Sequence, residues 1–228
     1  MASKDQRTKP QSLYIWRLKH SRLRSELHDR VAKRIVAGFA AGLLIDLGCG
    51  PGLLAKKLRA LAPEIRVVGI DIDKIMLNEA RTVGITDLVH ASADHLPFRD
   101  DSVGLLVSTT SLKDWTNRAE GLAETCRIVR PGGTAFVYDF VTAGPESNPL
   151  GFAKRYGVVS EILRRATGWV QPFSLADAMS LAQTIRSPSV RIDISVERDL
   201  AVVVMVITKL QDEGIGLAGE SASGASSK

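Results

Sequence analysis

The chain has 228 residues, with 30 Lys and Arg against 25 Asp and Glu, a net charge of +5, 45% hydrophobic residues and 24% charged ones. These are the proportions of a globular protein with a real core, and the length suits one large α/β domain. They exclude wholesale disorder and a collagen-like fibre, and two cysteines, Cys49 and Cys126, exclude a disulfide scaffold or a cysteine-built zinc site. The apolar run 200–207 is too short to cross a bilayer as a helix. Residues 1–10 lead into no hydrophobic signal core, so the expectation is a soluble, reduced, cytoplasmic protein.

The charge is concentrated at the start. Residues 1–40 hold ten Lys and Arg against Asp5, Glu26 and Asp29, a balance of +7, which leaves the other 188 residues at −2. Leu23, Leu27, Val31 and Ile35 recur every four residues, with Trp16 and His20 continuing the stripe backwards. This spacing predicts one basic amphipathic helix over about 12–37, in an N-terminal helical cap of residues 1–40.

Strands and helices then alternate. The pattern predicts strands at 43–47, 66–71, 88–92, 103–108 and 134–140, with helices at 53–61, 73–83 and 118–129; Pro131-Gly132-Gly133 reads as the turn before the fifth strand. Such βαβ units close right-handed into a parallel sheet covered on both faces. Prolines punctuate two helical runs, 152–166 and 175–185, inside a segment over 142–187. Two further strands, 190–196 and 200–209, read as an antiparallel hairpin. The expected fold is therefore α/β, a Rossmann-like, mostly parallel seven-stranded sheet with helices on both faces and a C-terminal antiparallel hairpin. The main domain covers 41–212, with 142–187 as a substrate-side insertion and 213–228 as a Gly/Ala/Ser-rich disordered tail.

The strongest chemical signal is Asp46-Leu47-Gly48-Cys49-Gly50-Pro51-Gly52 at the end of the first strand. Glycines there let backbone N–H groups approach a ligand, and the next helix offers its N-terminus. Asp71 ends the second strand 19 residues beyond Gly52, where a carboxylate can accept hydrogen bonds from both hydroxyls of a ribose. Together these features point to a nucleoside-containing ligand in the crevice at the carboxyl ends of the strands.

This constellation resembles the class I S-adenosylmethionine-dependent methyltransferases. The segment 46–52 is similar to their first motif and Val68-Gly69-Ile70-Asp71 to their second. Residues 91–98 with 100–103 resemble their adenine-side loop, and 124–133 their turn into the fifth strand. The resemblance implies S-adenosyl-L-methionine as cofactor. It implies that Gly48 and Gly50 line the methionine part with Asp46 near its ammonium, that Asp71 holds the ribose, and that Ile72 packs on the adenine. Ser92, Ala93 and Thr109 complete the implied cofactor set; Ser92 stands where many relatives carry Asp or Asn, and Asp94 is its possible substitute. The final hairpin corresponds to the family's reversed last pair of strands.

Methyl transfer from a sulfonium requires alignment and a dry site more than a catalytic constellation, so the lack of a Ser/His/Asp or paired-carboxylate set is consistent with it. The four histidines have no metal spacing, and no metal is expected. No Asn-Pro-Pro-Tyr or Asp-Pro-Pro-Tyr follows the fourth strand, and neither cysteine precedes a proline, which disfavours methylation of base amino groups or cytosine carbon. The segment Ser108-Thr109-Thr110-Ser111-Leu112-Lys113-Asp114-Trp115 is similar instead to a stretch of the ubiquinone/menaquinone-biosynthesis C-methyltransferases. That makes Lys113 and Asp114, with Tyr156 of the insertion, the substrate-side candidates. The leading expectation is methylation of a small hydrophobic or quinone-like acceptor. The alternatives are RNA methylation, with the +7 segment tracking phosphates, and a non-catalytic nucleoside-binding protein of the same fold; peripheral membrane contact through the basic helix is a further expectation.

Overall fold

The computed structural model describes residues 11–39, 41–142 and 173–211. The predicted helix 152–166, Tyr156 and the tail 213–228 lie outside the described residues, as does most of the 142–187 segment.

The described residues open with two helices, α1 (Gln11–His20) and α2 (Arg22–Gly38). The single helix expected over 12–37 is broken at Ser21, whose backbone is extended (φ −73°, ψ 108°) and whose hydroxyl accepts from the Arg24 N–H to cap α2. Trp16 and His20 do not continue the buried stripe. Their rings stack on each other at 4.7 Å, with Trp16 exposed. The stripe proper is real: Leu27, Val31, Ala32 and Ile35 are buried.

The order continues β1 (Gly42–Leu47), α3 (Leu53–Leu61), β2 (Ile65–Asp71), α4 (Lys74–Thr82), β3 (Leu88–His90), β4 (Val103–Thr109), α5 (Arg118–Ile128), β5 (Val129–Phe140), α6 (Leu175–Ala182), β6 (Val190–Glu197) and β7 (Val202–Lys209). These form one seven-stranded sheet ordered β3-β2-β1-β4-β5-β7-β6. Strands β1 to β5 pair in parallel, and β7 is antiparallel to both β5 and β6. The hairpin is as expected, but only β7 is reversed; β6, opposite to β7, runs with the rest. Strand β5 is longer than predicted. It begins at Val129 and carries Pro131-Gly132-Gly133 within it, beside an irregularity where the pairing with β4 shifts between Val103 and Leu105.

Side-chain alternation sorts the sheet into two apolar layers. Ile45, Leu47 and Leu106 pack with Leu122 and Ile128 of α5 and Ala178 of α6. Leu44, Leu105 and Val107 pack on the other face with the α2 stripe and with Leu54, Ala55 and Leu58 of α3. The N-terminal helix α2 is thus a layer of the core rather than a surface arm. Lys19 pairs with Glu79 of α4, Arg30 with Glu26, Glu197 and Asp199, and the Arg34 guanidinium lies over the Phe136 ring. These cations are spent within the fold. Among the described residues no helix is long and apolar enough to cross a membrane.

If α2 is part of the core, Leu27→Ala should cost about 2–5 kcal/mol in urea unfolding, the usual penalty for truncating a fully buried leucine. A loss below about 1 kcal/mol, the range of exposed positions, would make α2 a loosely attached cap.

Candidate functional site

The site is built where β1, β2 and β4 end. Gly48 turns the chain out of β1 at φ +71°, and the N–H groups of Gly48 and Cys49 both donate to the Ile70 carbonyl at 2.8 and 2.9 Å. A side chain is impossible at Gly48, because a Cβ there would lie 2.4 Å from the Ser111 side chain. Gly50 is also left-handed (φ +53°), but a Cβ on it would meet nothing within 4 Å. The turn is therefore packed on its inner side at Gly48 and open at Gly50, as a cradle for a ligand requires. Helix α3 follows with no side-chain cap on its first turn.

Two carboxylates flank this turn in opposite circumstances. Asp71 accepts from the Gly50 N–H at 2.8 Å and the Asp73 N–H at 2.9 Å, so its position and that of the turn fix each other. Burial raises its pKa, and these backbone donors oppose the rise. Asp46 is 1% exposed, and neither of its oxygens has a hydrogen-bond partner. Burial, and then the charge of Asp71, push it up to about 7. An unpartnered buried carboxylate is an unfavourable arrangement unless a cation completes it.

Around this centre, Ile72 follows Asp71 and is 59% exposed, a free apolar surface beside the crevice. The His90 ring bonds the Ile72 carbonyl at 2.9 Å and steadies that step. Beyond β3, Ala93 is buried, and the Ser92 hydroxyl bonds the Asp94 side chain, the main cause of that acid's lowered pKa. Ser92 and Asp94 thus form one polar unit.

At the end of β4, Thr109 is nearly buried and Thr110 adopts φ +59°, a strained conformation for a β-branched residue. The Arg24 guanidinium of α2 bonds the Thr110 hydroxyl. Ser111 bonds Ser108, the Leu47 carbonyl and the Trp115 indole N–H, clamping the following 3-10 turn (Leu112–Asp114) against β1. Lys113 is buried, with its ammonium on the Thr110 carbonyl (2.7 Å), Asp114 (3.2 Å) and Asp139 (3.3 Å). Its backbone N–H also donates to Asp139. Lys113 therefore ties the turn to β5, while Asp114 is half exposed at its rim. The structure brings Asp46, Gly48, Gly50, Asp71, Ile72 and Thr109 to one edge of the sheet. It also brings Arg24 and His28 of α2 to that edge, which the sequence reading did not place in the site. Among the described residues no group of three or more His, Cys, Asp or Glu is arranged to hold a metal.

This geometry is that of a Rossmann-like α/β domain with a ligand crevice at the carboxyl ends of its parallel strands. A family model described as a methyltransferase domain matches residues 45–137, and that part of the chain is similar to the class I S-adenosylmethionine-dependent methyltransferases. The chain is 32% identical over 151 residues, 63% of its length, to a ubiquinone/menaquinone biosynthesis C-methyltransferase, UbiE, of Vibrio parahaemolyticus. It spans 57% of the length of that protein, and about half the length of several other such relatives. A candidate S-adenosyl-L-methionine-dependent methyltransferase of Methanococcus maripaludis shares the fold at TM-score 0.71 and 20% identity, over 94% of this chain and 100% of its own. The plantazolicin methyltransferase BpumL, solved in complex with SAH, does so at TM-score 0.68 and 11% identity, over 90% and 92% of the two chains.

The family's cofactor carries an ammonium, and the orphaned Asp46 carboxylate beside an open glycine turn fits it. The sign of the Asp46 effect can be tested. Its pKa is raised from 3.8 to about 7 in the folded chain, so the folded state holds the proton longer than the unfolded one. Its contribution to stability is present at acid pH, falls from about pH 4 to pH 7, and is absent above. Asp46→Asn should therefore raise the melting temperature of the ligand-free protein at pH 8 by several degrees and leave it little changed at pH 4. It should also weaken S-adenosylmethionine binding at least tenfold by calorimetry. A variant that melts lower at pH 8 would show that Asp46 is structural.

Proposed function

We propose that the protein transfers a methyl group from S-adenosylmethionine to a small, hydrophobic, hydroxylated acceptor of the quinol type. The observation that carries the methyl-transfer reading is the unpartnered Asp46 carboxylate buried beside the open Gly48–Gly50 turn, with Asp71 fixed across it. In this reading Asp46 meets the cofactor's ammonium and the backbone of Gly48 and Gly50 lines its methionine portion. Asp71 takes the ribose hydroxyls with the lone pairs its backbone donors leave free. Ile72 and Ala93 sandwich the adenine, and the Ser92–Asp94 pair faces its amino group. Thr109 stands at the methyl end.

When bound, the cofactor supplies a methyl already activated by a sulfonium. The acceptor's electron pair forms the new bond as the carbon–sulfur pair returns to sulfur, and the acceptor's proton leaves to solvent. Charge is neutralised along this path, so the chain's tasks are alignment and exclusion of water. The acceptor assignment is supported by the identity to UbiE and by the similarity of residues 108–115 to that family. A cytoplasmic location agrees with the two free cysteines, both buried.

Calorimetry on the full chain should show S-adenosylmethionine binding that Asp71→Ala weakens by tenfold or more. Incubation with methyl-labelled cofactor and fractionated cell extract should move label into the lipid-soluble pool. Label appearing in RNA instead would replace the acceptor class, and folded wild type that binds no S-adenosylmethionine would sink the methyltransferase reading.

A further inference from the structure

His28 has no role in the site described so far, and its placement is unexpected. It sits on α2 next to Leu27 and one turn before Val31 and Ala32, where the sheet face is otherwise apolar and a leucine would pack well. The imidazole is 5% exposed. Its Nε2 lies 3.2 Å from the Thr109 hydroxyl oxygen, and its Nδ1 is buried with no partner. Burial, aided by the positive charges of Arg24 and Lys57, lowers its pKa to about 3, so the ring is neutral at working pH.

A neutral imidazole carries one N–H. Buried N–H groups almost always find an acceptor, whereas an unused lone pair is better tolerated. The unpartnered Nδ1 is then the bare nitrogen, and Nε2–H donates to Thr109. With its oxygen occupied as acceptor, the Thr109 hydroxyl keeps its own proton to donate elsewhere.

Where that proton can go follows from the pleat. Thr109 is the last residue of β4, on the same face as Leu105 and Val107; Val107 pairs with Asp46, which shares its face with Leu44. The Thr109 hydroxyl and the Asp46 carboxylate thus share one face at the carboxyl edge of adjacent strands, where ligands of open parallel sheets bind. The strain at Thr110, held by Arg24, fixes the backbone immediately after it.

We propose that His28 is a positioning residue that, through Thr109, presents a hydroxyl donor to an anionic oxygen of the methyl acceptor, so that the site selects acceptors bearing a phenolate or enolate oxygen. The proposal rests on the methyltransferase reading above. Such a donor is most useful when it is already oriented before charge arrives, and this is what an otherwise unrewarded buried histidine provides.

The test uses the full chain saturated with S-adenosylhomocysteine and titrated with 1-naphthol, whose ionisation is read by absorbance across pH. Wild type is expected to bind the naphtholate form and lower the naphthol pKa. His28→Leu is expected to weaken naphtholate binding about tenfold, to leave S-adenosylhomocysteine affinity within twofold, and to melt no lower than wild type, since leucine suits the α2 stripe. Thr109→Val should reproduce the loss, and His28→Gln, whose amide N–H can replace Nε2–H, should restore most of it. Equal naphtholate affinity in wild type and His28→Leu, or none in either, overturns the role of His28. So does a parallel fall in S-adenosylhomocysteine affinity, or a loss that His28→Gln does not repair. Failure of wild type to bind S-adenosylhomocysteine overturns the methyltransferase reading, and this proposal with it.

Discussion

A carboxylate buried without a partner is the constraint on which the rest of this structure turns. Asp46 lies in β1, and β1 is hydrogen-bonded to β2 on one side and β4 on the other. The strand cannot rotate the side chain out to water without giving up both ladders. The charge must therefore be met in place or suppressed by protonation, and its elevated pKa reflects that choice. Asp71 is tolerated nearby because two backbone N–H groups already absorb part of its charge. The two acids differ in what they lack: Asp71 is held and half satisfied, while Asp46 waits for a cation. A single ligand with an ammonium at one end and a diol further along answers both needs.

The glycine turn follows from the same constraint. To carry a ligand to Asp46, the chain leaving β1 must fold back tightly, and Ser111 of the loop after β4 occupies the space where a Gly48 side chain would stand. Ser111 in turn bridges β1, Ser108 and Trp115. The two loops that frame the crevice are thus locked against each other, and the Lys113–Asp139 pair anchors the second loop to β5. A buried ion pair of this kind contributes little net stability, but breaking it by removing one partner is costly. Its effect here is to fix a conformation, including the unusual backbone of Thr110.

What could be read from the sequence was what is local. Strand and helix alternation, the Asp46–Gly52 turn and the spacing to Asp71 depend on neighbours a few residues apart, and all lie where the pattern put them. The break at Ser21 is hidden by apolar spacing that runs on across it, although a serine three residues before Arg24 is a cap signal. Strand β5 was cut short because Pro-Gly-Gly normally ends regular structure, and only the pairing of Val129 with Val103 shows that it continues. The reversal of β7 alone could not be told from a reversed pair, since a hairpin reads the same in either orientation. The sequence offers Lys113 as a substrate-side candidate, yet its ammonium meets Asp139, 26 residues away, and His28 meets Thr109 across 81 residues. Contacts of that separation leave no periodicity to find.

The excess positive charge of the first forty residues takes on a different meaning in this light. A +7 segment suggests an arm reaching for phosphate, yet Lys19, Arg30 and Arg34 are each directed to a group of this same chain, on α4, at the β6–β7 turn and on β5. Individually such exposed pairs are worth under about 1 kcal/mol. Their value is geometric: Lys19 ties α1 to α4, and Arg30 and Arg34, combined with the buried stripe of Leu27, Val31 and Ile35, fix the rotation of α2 about its axis. That rotation brings Arg24 to Thr110 and His28 to Thr109, both at the carboxyl end of β4. Part of the segment's positive charge, on Arg30 and Arg34, therefore helps to hold α2 in register at the crevice, against Glu197, Asp199 and Phe136 of the rest of the chain.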